Sequence, residues 1–268
     1  MAMRSGSAAI RDGRSARVAR GAAGALALFA LLEVLTRAEL VNPTYLPPAS
    51  TILARTAEIL ADPAFLRNVA GTLQAWAAGM VVVVVVGVPL GVLLGSSERV
   101  YTATRALIEF LRPIPSVALI PLAILLFGRG PAMKTSLIIY ASLWPVLFNT
   151  IYGMHGVEPV AVDTARSFGL GRLAILRRVS LPSAAPFIYT GVRVATAIAL
   201  ILAISTELIA GGGQGIGTWM LQRQVANQQQ YVYAGTIVAG LLGLVINAVL
   251  VAGEKRLFSW HPRQREGL

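Results

Sequence analysis

The sequence predicts an all-α, polytopic membrane protein with about six transmembrane helices and a cytoplasmic helical hairpin between the fourth and the fifth. Three observations carry this. Only 13% of the 268 residues are charged and 56% are hydrophobic, whereas soluble domains carry about 25% charged residues. Charge-free runs recur at 68–97, 135–157 and 224–253, each long enough at ~1.5 Å per residue to cross a hydrocarbon core of ~30 Å. The basic residues lie between these runs and favour one side of them.

The elements follow in order. Residues 1–20 place Arg4, Arg11, Arg14, Arg17 and Arg20 among Ser, Gly and Ala, the composition of a disordered cytoplasmic tail. Residues 21–36 form the first apolar run, bracketed by Arg20 and Arg37 and containing Glu33. A cleaved signal peptide shares the basic head and apolar middle. No small-residue cleavage site follows, so a retained first span is expected, opening a membrane domain over 21–256. Residues 41–65, with Pro43, Pro47, Pro48 and Pro63, connect outside the membrane, and 48–60 has the pattern of a short amphipathic helix with Ser50 or Thr51 near its start.

The second span is 68–97, where Gly87, Pro89, Gly91 and Gly95 permit a bend or a close helix contact. A polar turn is expected at 98–105. The third span, 111–128, reads LRPIPSVALIPLAILLFG. Its Pro113, Pro115 and Pro121 free backbone carbonyls, which is tolerated where neighbouring helices or a water-filled cavity satisfy them, and they are therefore candidates for the translocation pathway. An outer loop at 128–134 leads to the fourth span, 135–157.

Residues 158–186, EPVAVDTARSFGLGRLAILRRVSLPSAAP, are the polar interruption of the chain. Pro159 suits a first helical position, and Val162, Ala165 and Phe168 share one face. Gly169 and Gly171 can turn the chain at low steric cost. A second segment, 172–181, carries Arg172, Arg177 and Arg178 until Pro182 interrupts it. The fifth span, 187–210, contains Arg193 and Glu207 and stops at Gly211, Gly212 and Gly213. Residues 214–230 are glutamine-rich and too polar to span; 224–253 gives the sixth span, and 257–268 a cytoplasmic C-terminal tail.

Within this hairpin, Asp163, Thr164 and Ala165, then Gly169, then Val179, Ser180, Leu181 and Pro182 match the spacing of the E-A-A-x3-G-x9-I-x-L-P loop of ATP-binding-cassette import permeases. The chain resembles that family over roughly 46–256. Asp163 replaces Glu, Thr164 replaces Ala and Val179 replaces Ile; Gly169, Leu181 and Pro182 stand where the pattern puts them. The resemblance implies that 158–182 docks on a separate cytoplasmic ATPase, with Asp163, Thr164, Ala165, Phe168, Gly169, Leu181 and Pro182 as the coupling residues. It implies a second permease copy, two ATPase subunits and an extracytoplasmic solute-binding protein, in a bacterial-type inner membrane. The outer 48–60 helix resembles an element that follows the first span in these permeases and is either a receptor contact or a plain surface helix. The LRPIP run resembles the nitrate, sulfonate and taurine branch, which implies a small anion such as an organosulfonate, taurine or nitrate. The same branch includes permeases for neutral and cationic vitamin precursors.

Charge tests the topology. With both termini inside, seventeen of the 23 Lys and Arg fall on the inner side, and six, Arg37, Arg55, Arg67, Arg129, Lys134 and Arg223, on the outer side, as the positive-inside bias requires. The same distribution, between spans rather than on one soluble face, argues against nucleic acid as the reason for a net charge of +11.

Several functions are excluded. The chain has no cysteine and two separated histidines, His155 and His261, so thiol chemistry and a clustered metal site are not expected. Its two lysines, Lys134 and Lys255, lie outside any G-x-x-x-x-G-K setting. The chain is therefore expected to be no enzyme, to hold no cofactor, and to take its energy from a partner or an ion gradient. An ion-driven secondary transporter would use Glu33, Glu109 and Glu207 as carriers, but such folds show paired broken repeats that this sequence lacks. A membrane-embedded enzyme would need a catalytic constellation within the spans, and none is visible. Glu207 has two readings, as a residue that lines or gates the pathway beside the three glycines, or as a hydrated residue at the outer interface.

Overall fold

The computed structural model describes residues 6–258; the C-terminal tail, except for its first two residues, lies outside them. Every regular element among the described residues is helical, in the order α1 (Gly6–Arg37), α2 (Ala49–Leu60), α3 (Pro63–Ser96), α4 (Glu98–Leu111), a 3₁₀ turn (Ser116–Leu119), α5 (Ile120–Phe127), α6 (Pro131–His155), α7 (Pro159–Ser167), α8 (Arg172–Ile175), a π turn (Leu176–Ser180), α9 (Leu181–Ala210), α10 (Ile216–Val225) and α11 (Gln229–Leu257). Among the described residues, five stretches are long and apolar enough to cross a membrane, or six if a bent pair of helices is counted as one span.

The chain divides into two compact units, one of Met1–Asp62 with Arg223–Ile237, the other of Pro63–Gln222 with Val238–Leu268. In the first, α1 runs back to Gly6. The segment expected to be disordered is thus helical from Gly6 to Arg20, because its Ala and Arg residues are strong helix formers that extend the register of the apolar run. The amphipathic helix predicted at 48–60 is α2, with Ser50 and Thr51 in its first turn as expected. Pro48 is the cap residue and has no side-chain bond to give. Glu33 supplies one instead: its carboxylate accepts from the Ser50 N–H at 2.9 Å and the Ser50 hydroxyl at 2.8 Å, while pairing with Arg37 at 2.6 Å. A carboxylate there also complements the positive helix end. At the far end of α2, Glu58 accepts from Arg55 and from the Tyr231 hydroxyl, which together hold its carboxyl below the usual range.

The second unit is built on α3, α6 and α9. α3 has 34 residues, or ~51 Å of helix at ~1.5 Å per residue, and Pro89 sits inside it. The close-contact reading of its glycines holds. A Cβ at Gly79 would lie 2.5 Å from the Ile138 side chain, one at Gly91 2.5 Å from Thr150, and one at Gly95 2.6 Å from Met154. Only glycine lets α6 approach along this line, the small-residue packing that drives helix association where lipid supplies no hydrophobic gain. α9 meets the same centre through Ala195, Ala199 and Ala203, all fully buried and four residues apart, beside Val83, Ile138 and Val146.

Two expectations are corrected here. Residues 98–105 are not a turn but the start of α4, capped by Ser97. The third span is not continuous: α4 and the segment Ser116–Phe127 meet at 77°. Pro113 and Pro115 cause the break, since proline lacks the N–H and disfavours helix in the residue before it. The carbonyl of Leu111, left at the break, accepts from the Tyr140 hydroxyl of α6 at 2.6 Å.

Candidate functional site

The hairpin after α6 is the first candidate. Glu158 is the cap residue of α7 and Pro159 its first helical position, as the sequence predicts. The helix ends in a Schellman motif. The Gly169 N–H donates to the Arg166 carbonyl at 2.8 Å and the Leu170 N–H to the Ala165 carbonyl at 3.1 Å, with Gly169 at φ +79°. Nothing lies within 4 Å of a Cβ placed at Gly169, so the left-handed backbone, not space, demands glycine.

The predicted coupling residues separate into three settings. Asp163 pairs with Arg166 at 2.8 Å, both more than half exposed, and the Thr164 hydroxyl donates to the Val160 carbonyl. Ala165 is buried, whereas Phe168 is 80% exposed. The face shared by Val162, Ala165 and Phe168 in the sequence therefore does not hold to its end, because Phe168 is the cap residue and leaves the helix just before the turn. Leu181 and Pro182 open α9.

Pro182 does not interrupt the second segment. Arg172 to Ala210 runs as one 39-residue stretch, with the π turn Leu176–Ser180 placed just before Pro182. A π turn widens the helix by one residue and re-aims the backbone pairing, which accommodates a residue with no N–H to donate. The hairpin is thereby continuous with a membrane-length helix.

The second candidate is a buried charge cluster. Glu207 of α9 is 0% exposed and Lys134, in the first turn of α6, is 1% exposed. Their Nζ and Oε1 atoms are 2.9 Å apart, and the same ammonium donates to the Gln214 carbonyl at 2.8 Å. The Thr72 hydroxyl of α3 donates to Glu207 at 3.0 Å and accepts from the Ile216 N–H at 2.9 Å; the Gly217 N–H donates to Oε2 at 2.9 Å. Asn68 accepts from the Gly215 N–H at 3.0 Å. A Cβ on Gly215 would lie 2.1 Å from the Glu207 carboxyl carbon, so glycine is required for this approach. Three helices are thus tied to the start of α10 through one carboxylate, and Gly211, Gly212 and Gly213, all at positive φ, carry the chain between them.

Glu207 sits beside the three glycines, fully buried and ion-paired. Lys134, Thr72 and Asn68 carry no motif and are missed by reading the sequence. The available signal was one lysine at the edge of an apolar span and one glutamate at the edge of another. Pro121 is the second residue of α5, a position that needs no intrahelical donor, while Pro113 and Pro115 lie at the break after α4.

A family described as the binding-protein-dependent transport system inner membrane component matches residues 87–259. The taurine transport system permease protein TauC of Escherichia coli is 29% identical over 228 residues, covering 83% of this chain and 82% of that protein. A probable ABC transporter permease protein of Brucella abortus is 31% identical over 218 residues, covering 81% and 87%. The nitrate import permease protein NrtB of Leptolyngbya laminosa is 28% identical over 189 residues, covering 70% and 67%. Among solved structures, a chain of the MetNI methionine ABC transporter in an inward-facing conformation superposes with a TM-score of 0.60 at 17% identity, covering 74% of this chain and 97% of that one. That likeness concerns the fold.

Proposed function

This chain belongs to the family of binding-protein-dependent transport system inner membrane components, and we propose that as a permease subunit it carries a small anion, of the organosulfonate, taurine or nitrate kind, with ATP hydrolysed on a separate cytoplasmic subunit. The observation that carries the proposal is the hairpin. Asp163 to Pro182 keeps the spacing of a coupling loop, α7 presents an exposed aromatic at its end, and the segment after the turn continues into a 39-residue membrane-length stretch. A push on α7 would therefore pass through the turn at Gly169 into one continuous stretch that ends in α9.

The anion rests on the names of relatives, taurine for one and nitrate for another. Partners follow from the same reading: two ATPase subunits, a second permease copy and an extracytoplasmic binding protein that sets much of the selectivity. The strong basic bias supports cytoplasmic termini and a cytoplasmic hairpin. We assign the proline break and the Glu207 cluster to the pathway, the break by the 77° bend it puts in the chain and Glu207 as a clamp on the loop that ends α9. The three carboxylates an ion-driven carrier would use are all engaged, Glu33 with Arg37, Glu109 with Arg105 and Glu207 with Lys134.

The test is uptake of radiolabelled taurine and nitrate into proteoliposomes holding the permease, its genomic-neighbour ATPase and the cognate binding protein. Uptake that needs both ATP and the ATPase is the expected result. Uptake driven by an ion gradient through the permease alone would overturn the proposal.

A further inference from the structure

A cleft of about 820 Å³ opens where α3 and α6 end and the hairpin begins, a volume in the range of ligand pockets. Its less exposed floor is mostly apolar, with Met154 buried and Val157, Val162 and Leu176 half-buried beside the Ser180 hydroxyl; Arg166 and Arg172 stand exposed. No acidic side chain lines it. Arg166 pairs with Asp163 from outside the lining, and Arg172 makes no ion pair among the described residues.

We propose that this cleft holds an anionic phospholipid, its phosphate at Arg166 and Arg172 and its acyl chain over the apolar floor. Both halves of the site match such a molecule, since basic pockets among membrane helices on the cytoplasmic side bind acidic headgroups and an apolar floor suits an acyl chain but not a free anion. The place fits as well: the ends of two apolar helices mark the membrane boundary. A lipid seated there would brace the hairpin against α3 and α6 and make coupling depend on the acidic-lipid content of the membrane. This inference rests on the reading of the hairpin as a cytoplasmic coupling element.

The experiment is native mass spectrometry of the full chain in detergent, titrated with dioleoyl phosphatidylglycerol, with phosphatidylcholine, and with inorganic phosphate as competitor. Phosphatidylglycerol should be retained over phosphatidylcholine, and phosphate should not displace it. Arg166→Gln with Arg172→Gln should weaken retention about thirtyfold, at roughly fivefold for each basic residue beside an acidic headgroup. Arg177→Gln with Arg178→Gln removes the same charge outside the cleft and should change retention by no more than about threefold. Leu173→Glu, which adds an acid at an exposed lining position, should weaken it without touching either arginine. Equal losses from the two arginine pairs, displacement by phosphate, or equal retention of phosphatidylcholine would each overturn the site. Labelling Leu170→Cys in sealed vesicles decides the other reading separately: reaction only from the extracytoplasmic side would sink the coupling role, while the lipid titration still decides the cleft.

Discussion

At the scale of residues, the pair of Lys134 and Glu207 organises the chemistry that the sequence does not display. Two charges out of water are costly, and their attraction offsets this only when the remaining hydrogen-bonding positions are also filled. Here they are, by Thr72, the Gly217 N–H and the Gln214 carbonyl. Removing one partner strands the other charge. Lys134→Met should therefore destabilise the protein by about 3–5 kcal/mol, as buried pairs do when broken, read as a lowered thermal midpoint in detergent. Glu207→Gln should do much the same, since an amide keeps the Thr72 contact but leaves the ammonium unpaired. The double variant Lys134→Met with Glu207→Leu should regain most of the loss. Uptake by a double variant of restored stability then separates two roles: transport lost keeps Glu207 in the pathway, and transport retained makes the pair purely a fastening.

The same residues mark how far reading the sequence goes. Composition and run length exposed the spans because burial in lipid constrains every position of a helix. Thr72, Lys134 and Glu207 lie far apart in sequence and meet only through the packing of α3, α6 and α9, so no local pattern announces them. Gly87, Gly91 and Gly95 of α3 were legible as permitting a bend or a close contact, and the structure adds Gly79 to the same line. Their partners on α6 were not.

At the scale of elements, the start of the hairpin and its turn were legible, because caps and turns are local. Pro159 at the first turn and Gly169 at the Schellman position follow from backbone geometry alone. Three prolines misled, in opposite directions. Pro182 promised an interruption and is absorbed by a π turn, while Pro113 and Pro115 looked tolerable within a span and instead break it. Neighbouring structure decides such cases: a widened turn precedes Pro182, whereas two prolines at adjacent alternate positions leave no helical register to repair. The exposure of Phe168, at 80%, fits an anchor awaiting a partner. Phe168→Ala should weaken ATPase binding by about 2 kcal/mol, or roughly thirtyfold, in the manner of interface aromatics. Surface plasmon resonance with the ATPase immobilised would measure it, and unchanged affinity would remove Phe168 from the docking surface.

At the scale of the whole molecule, the proposed topology rests on the basic bias, and labelling can read it directly. The chain has no cysteine, so single cysteines need no background removal. Cysteines at Gly130 and Gln229 should react from the extracytoplasmic side of sealed vesicles and one at Leu170 from the cytoplasmic side. Reaction of the Gly130 position from the cytoplasm would reverse the assignment of α5 and α6.

The central claim is that the stiff path from α7 through the turn into α9 converts ATP hydrolysis into transport. Gly169 is its most sensitive point, since at φ +79° a β-branched residue is strained while nothing crowds the position. The measurement is substrate-stimulated ATP hydrolysis beside uptake in the same proteoliposomes, for the wild type and for Gly169→Val. The account predicts that the variant retains its ATPase and hydrolyses ATP while uptake falls at least about tenfold, the effect of some 1.4 kcal/mol lost from coupling. A Gly169→Val permease that hydrolyses and transports at the wild-type ratio would contradict it.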